Sequence, residues 1–168
     1  MKKPITIVVL SDTHIPRVAG DMPAIVYDSI RDADLVLHAG DITEAPFFQN
    51  LGKLKKTVAV FGNMDSEELK STLNEKEIVS VGKFKIGLIH GTGSTQNLDE
   101  TVRNHFKNVD VIVYGHSHAP VNFVKNKILF FNPGSPTDKV FAAYNSFGIL
   151  TITEEAIEGK IIKIESEA

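Results

Sequence analysis

The strongest constraint on this chain is a set of five short apolar, β-branched runs, at 5–10, 35–38, 57–61, 85–89 and 109–114, each stopped by Gly or a polar cluster. Runs of this kind read as strands buried on both faces. Between them, 22–31, 45–54, 66–73 and 98–106 read as helices, the last because Leu98, Val102 and Phe106 recur every four residues. The alternation predicts a largely parallel sheet covered by helices, an α/β class. Further on, strand-like pieces at 127–131, 140–144, 147–152 and 160–164 predict a second, mostly antiparallel sheet. With 168 residues and no linker, repeat or low-complexity tract, a single domain over 1–168 is expected.

Composition narrows the chemistry. The chain has no Cys, so disulfides and thiolates are excluded and any metal must be held by oxygen and imidazole ligands. A formal charge of -3 offers no broad positive field for extended nucleic acid, which leaves small substrates. No apolar stretch approaches the length of a membrane span, and the run at 5–10 reads as a first strand rather than a secretion leader. The cytoplasm is the expected location.

A candidate metal ligand follows each of the five runs. These are Asp12 and His14, then Asp41, Asn63 and His90, and finally His116 and His118. The carboxyl ends of parallel strands share one edge of a sheet, so residues distant in sequence are expected to meet there. The spacings Asp12-x-His14 and His116-x-His118 would place each pair on one side of an extended segment, converging on one metal centre. Gly40, Gly62, Gly91 and Gly115 adjoin the candidates and suit close backbone approach. Any one Asp here has an ordinary reading as a cap or turn residue. Seven candidates at equivalent positions do not. His38 lies within its run and reads as a core group or one that orients a ligand. His105 is assigned no function, and Asp65 reads either as an acceptor for a ligand or water or, in preference, as the N-cap of the next helix, with Glu68 three residues on. Gly91-Thr92-Gly93 opens like a dinucleotide fingerprint but Gln96 breaks it, and neither a Walker loop nor a nucleophile elbow is present.

Taken in order, Asp12-Thr13-His14, Gly40-Asp41, Gly62-Asn63, His90-Gly91 and Gly115-His116-Ser117-His118 resemble the signature of the calcineurin-like metallophosphoesterases. Asn132-Pro133-Gly134-Ser135 is similar to the tail of the small branch typified by YfcE-like phosphodiesterases. The resemblance implies a four-layer α/β/β/α fold, two packed β-sheets flanked by helices. It further implies that Asp12, His14 and His118 hold one divalent ion and Asn63, His90 and His116 a second, with Asp41 between them. Asp41, Asn63 and His90 would then be the catalytic set, and Asn63, Arg17 and Ser135 the candidate substrate contacts. Manganese is the expected ion, with Ni, Fe, Co, Zn or Mg compatible, and Ca disfavoured by imidazole ligation. The implied reaction is attack on a small phosphate ester, a diester in preference to a monoester, by water or hydroxide activated by the two metals. One position departs from the larger family: Met64 stands where a His is common, and a thioether donates no proton. Esters with good leaving groups are therefore favoured. The alternative is a noncatalytic metal-binding scaffold for protein contacts, as in the scaffold subunit of the retromer coat. A homodimer is compatible with the sequence, which carries no pattern demonstrating one.

Overall fold

The computed structural model describes residues 2–166; Met1, Glu167 and Ala168, at the ends of the expected 1–168 domain, lie outside the described residues. Among the described residues, six strands and four helices occupy the first two thirds: β1 (Ile5–Leu10), α1 (Ala24–Asp32), β2 (Leu35–His38), α2 (Ala45–Leu54), β3 (Thr57–Ala59), α3 (Glu67–Thr72), β4 (Lys76–Val81), β5 (Phe84–Ile89), α4 (Leu98–Arg103) and β6 (Val111–Val113). The remainder is all strand: β7 (Val121–Lys125), β8 (Ile128–Asn132), β9 (Ser146–Ile152) and β10 (Ile157–Lys163). These form two five-stranded sheets in the orders β10-β9-β1-β2-β3 and β4-β5-β6-β8-β7.

Side-chain alternation along each central strand makes the layers. Ile7, Val9, Leu35 and Leu37 of the first sheet face Ile86, Leu88, Val111, Val113 and Phe131 of the second, forming the core between the sheets. The alternate residues Val8, Leu10 and Val36 point outward, under Val26 and Ile30 of α1, Leu51 of α2 and Leu69 of α3. On the other outer face, Ile112, Ile128 and Phe130 pack under Leu98 and Val102 of α4. The four-layer α/β/β/α order is thus present. Among the described residues, no helix is long and apolar enough to cross a membrane.

The division of strands differs from the sequence reading in three ways. The five ligand-bearing strands do not share one sheet: β1, β2 and β3 run parallel in the first, while β5 and β6 run parallel in the second. The tail does not build a sheet of its own either. Its β9 pairs antiparallel with β1 and β10 antiparallel with β9, extending the first sheet, whereas β7 and β8 complete the second. Finally, residues 140–144 are not a strand, because the Asp138 carboxylate takes the N–H groups of Val140, Phe141 and Ala142 that a ladder would need. The edge strands β4 and β7 carry no strand signature in the sequence because they are mostly solvent-facing, with no continuous apolar run.

Candidate metal centre

The carboxyl ends of both parallel sets meet at one edge of the sandwich. Backbone hydrogen bonds stitch the loops pairwise: Asp12 N to Gly40 O at 3.0 Å and His14 N to Asp41 O at 3.0 Å in the first sheet, Gly115 N to His90 O at 3.1 Å in the second. Two further bonds cross between sheets. His90 Nδ1 donates to Ala39 O at 2.8 Å, and His116 N donates to Asp12 Oδ2 at 3.1 Å. Two glycines permit this crowding. A Cβ on Gly62 would lie 2.2 Å from Asp41 Oδ1, and one on Gly115 would lie 1.8 Å from Ser11 Oγ.

Five of the candidate ligands hold the left-handed backbone conformation: Asp12 (φ +55°), His14 (+46°), Asp41 (+56°), His116 (+68°) and His118 (+58°). Non-glycine residues rarely adopt it, and each instance costs about 1–3 kcal/mol that surrounding contacts must offset. This corrects the picture of paired side chains on extended segments. The -x- spacing works through successive tight turns, and the two His residues of the last pair diverge.

Each carboxylate is anchored by one oxygen and presents the other. Asp12 Oδ2 accepts from Ser11 Oγ at 2.6 Å and from His116 N, while Oδ1 points to His118 Nε2 at 3.2 Å and to His14 and His90 Nε2, both at 3.8 Å. Asp41 Oδ1 accepts from Met64 N at 2.8 Å, while Oδ2 points to His90 Nε2 at 3.2 Å and His14 Nε2 at 3.7 Å. The imidazoles are anchored likewise, since His90 Nδ1 is spent on Ala39 O and His118 Nδ1 donates to Asp138 Oδ2 at 2.5 Å. Two groupings of ligand atoms result, Asp12 with His14 and His118, and Asp12 with Asp41 and His90, each within 4.8 Å. Among the described residues, three buried polar atoms lack any hydrogen-bond partner: Asp12 Oδ1, His14 Nε2 and His90 Nε2. Buried polar atoms are normally satisfied, so three orphans aimed at one point fit a cation.

The sequence is matched over residues 5–155 by the model of the calcineurin-like phosphoesterase superfamily domain. The chain belongs to that superfamily. A probable metallophosphoesterase of Methanocaldococcus jannaschii is 37% identical over 160 residues, covering 94% of this chain and 80% of that protein. A solved structure of an archaeal phosphodiesterase shares 22% identity and superposes with a TM-score of 0.71, over 94% of this chain and 100% of that one. Vacuolar protein sorting 29 from Cryptosporidium parvum shares 22% identity with a TM-score of 0.76, over 98% of this chain and 100% of that one. At these identities the two structures establish the common fold.

In this calcineurin-like chain the remaining expected residues sit at different depths. The His116 ring packs edge-on against His90, with centroids 5.4 Å apart, and its Nε2 donates to Gly93 O at 2.9 Å, which leaves Nδ1 as its other ring nitrogen. Asn63 is exposed at the rim, lining a small recess with His90, Thr92 and His105. Arg17 is half-exposed and pairs with Glu44 at 3.5 Å. Ser135 corrects its expectation. It is fully buried and donates its hydroxyl to Asp12 O at 2.7 Å, leaving no face open to a substrate.

Asp65 is also corrected. Ser66 caps α3, accepting from Leu69 N, while the buried Asp65 carboxylate accepts from Gly62 N at 2.7 Å, Thr43 N at 2.6 Å and Asp41 N at 3.1 Å. His38 is wholly buried; its Nδ1 accepts from Gly40 N at 3.1 Å and its Nε2 lies 3.0 Å from Thr13 Oγ1. It therefore braces the Asp12 and Asp41 loops against each other. Asp138, the residue that orients His118, has no distinguishing mark in the sequence pattern. Its only signal was a carboxylate three residues beyond Ser135, where nothing in spacing or composition set it apart.

The electrostatics follow from this packing. Burial works to raise the Asp12 carboxyl, but His90, His118 and Ser11 outweigh it and hold the pKa at about 2. Burial also raises Asp41, and His90 more than reverses the effect. Burial opposes charge on His90 and His118, yet Asp12 and Asp41 lift the first to about 9, and Asp12 and Asp138 lift the second to about 9. Burial pulls His38 down to about 3, so it stays neutral. Protons on His90 and His118 thus supply the positive charge that the carboxylates require, and an incoming cation has to displace them.

Proposed function

We propose that this chain is a dinuclear metal-dependent phosphodiesterase acting on small phosphate esters, folded as one domain over 1–168. One observation carries the reading: Asp12 Oδ1, His14 Nε2 and His90 Nε2 converge, buried and unpartnered, beside the Asp41 carboxylate. Asp12, His14 and His118 would hold one ion and Asn63, His90 and His116 the other, with Asp41 shared. Oxygen and imidazole donors suit Mn first, then Ni, Fe, Co, Zn or Mg. Two such ions, when bound, supply positive charge for the phosphate and make water a nucleophile at neutral pH.

The protein's own groups do the rest. Asp138 and Ala39 fix the tautomers of His118 and His90, so that each ring directs Nε2 inward. Asp65 holds the Asp41 and Asn63 loops in register, which positions Asn63 at the rim to bind the ester. Met64, 46% exposed beside Asn63, gives the leaving group no proton, which favours esters whose leaving groups depart unaided. The archaeal phosphodiesterase of the same fold supports diester over monoester.

The test is hydrolysis of bis-p-nitrophenyl phosphate and p-nitrophenyl phosphate by protein loaded with Mn, with Ni, or stripped by chelator. Turnover should require metal, favour the diester, and fall to the stripped level in Asp41→Asn with the fold retained by circular dichroism. Equal activity in stripped and Mn-loaded protein would overturn the reading. Met64 and the likeness to vacuolar protein sorting 29 also favour a second reading, a noncatalytic scaffold, for which metal would bind without turnover.

A further inference from the structure

Phe141 and Val140 are the most exposed large apolar side chains of the described residues, at 79% and 77%, whereas Phe131 and Phe147 are buried. Free loop tips tend to lack such groups or to be mobile. This one is held. The Asp138 carboxylate accepts from the N–H groups of Val140 at 2.8 Å, Phe141 at 3.1 Å and Ala142 at 2.8 Å, and Asn145 Nδ2 donates to Asp138 O at 2.5 Å. The same carboxylate accepts a hydrogen bond from His118 Nδ1, so one side chain sets both a ligand of the metal centre and the loop that carries Phe141. The Phe141 and His118 rings meet in a T-shaped arrangement, centroids 5.9 Å apart at 81°, and His118 Nε2 in turn lies 3.2 Å from Asp12 Oδ1. The rest of the Phe141 side chain is exposed.

Resting on the phosphodiesterase reading, we infer that Phe141 is a stacking platform for a flat aromatic group esterified to the phosphate, so that the preferred substrates are aryl or nucleobase-bearing phosphodiesters. A phosphate at the cluster would bring its ester group within reach of a rigid, solvent-exposed aromatic face. Stacking of an aromatic group there removes two apolar surfaces from water at once. A protein partner explains the exposure less well. Phe141 contributes about 150–250 Å² at most and Val140 less, against about 800 Å² per partner in a stable interface.

The experiment holds the leaving group constant. Methyl, phenyl and thymidine-5′ p-nitrophenyl phosphates all release p-nitrophenolate and differ only in the group retained. The Mn-loaded protein should prefer the phenyl or thymidine diester over the methyl diester by about tenfold in kcat/KM, mostly through KM, as one stacked base is worth about that factor. Comparing phenyl with thymidine tells a ring attached directly to the phosphate from one held at the distance of a sugar. In Phe141→Ala the ratio should fall toward one, and Phe141→Trp should keep it. A uniform loss on all three diesters would overturn the inference, leaving Phe141 as a support for His118. So would an unchanged ratio accompanied by loss of a dimer in sedimentation, which would make the loop a contact between copies. Calorimetric binding of thymidine 5′-monophosphate and methyl phosphate to the Mn-loaded protein separates the two readings. A tenfold difference without turnover would sink the hydrolase and keep the platform, while equal affinities would sink the platform.

Discussion

Asp65 sits outside every ligand set, yet its buried carboxylate takes three backbone N–H groups from the loops that carry Asp41 and Asn63. Replacing it by Ala leaves those donors without their acceptor at a buried position. Asp65→Ala should therefore cost about 2–4 kcal/mol in urea unfolding, and should weaken calorimetric Mn binding about 10- to 100-fold. Asp65→Asn, which keeps an acceptor oxygen, should lose less of both. A variant with normal metal affinity would show that the Asp41 loop holds its shape unaided. The same scale explains why the -x- spacings of the ligand pairs mattered despite the wrong local geometry. Left-handed turns at Asp12, His14, His116 and His118 redirect side chains that an extended chain would have aimed elsewhere.

At the scale of elements, the sandwich is closed by Phe131 of β8, whose ring reaches across to β9 and β10. A Cβ on Gly148 would lie 2.3 Å from this ring and one on Gly159 2.7 Å, so both glycines make room for it. Phe131 is fully buried, and Phe131→Ala should cost about 3–5 kcal/mol in denaturant unfolding, with the m-value unchanged. A loss under about 1 kcal/mol would mean that the sheets collapse onto the vacated space. Gly148→Ala should also destabilise, from the opposite cause of overpacking. The inter-sheet contact also accounts for the site, because ligands contributed by β1 and β2 reach those from β5 and β6 only if the sheets pack face to face.

For the molecule as a whole, His90 and His118 link stability to pH. Both rings are raised from an ordinary 6.5 to about 9, so their stabilisation of the metal-free protein is complete below about pH 6.5 and is lost as pH rises through about 9. Thermal scans in chelator should show Tm falling over that window. With saturating Mn the fall should vanish or reverse, because the ion replaces the protons and binds more tightly as they leave. A metal-free Tm that stays level from pH 6.5 to 9 would show that the two rings carry no extra proton.

The sequence by itself determined the apolar runs that become β1, β2, β3, β5 and β6, the four helices, and the polar group waiting at the end of each ligand-bearing strand. Those features are local, written in periodicity and in the residues that stop a run. The family signature, five short motifs in order, was equally legible. Only the tertiary structure decided that these strands divide between two sheets, and that β9 returns to pair with β1 while β10 takes the edge beyond it. Sheet membership depends on contacts far apart in sequence, to which no run of residues testifies. Nor could Ser135, Asp65 and Asp138 be told apart from exposed polar residues by type alone. What each hydroxyl or carboxylate does follows from which buried N–H, imidazole or carbonyl it meets, and those meetings exist only once the sheets have packed.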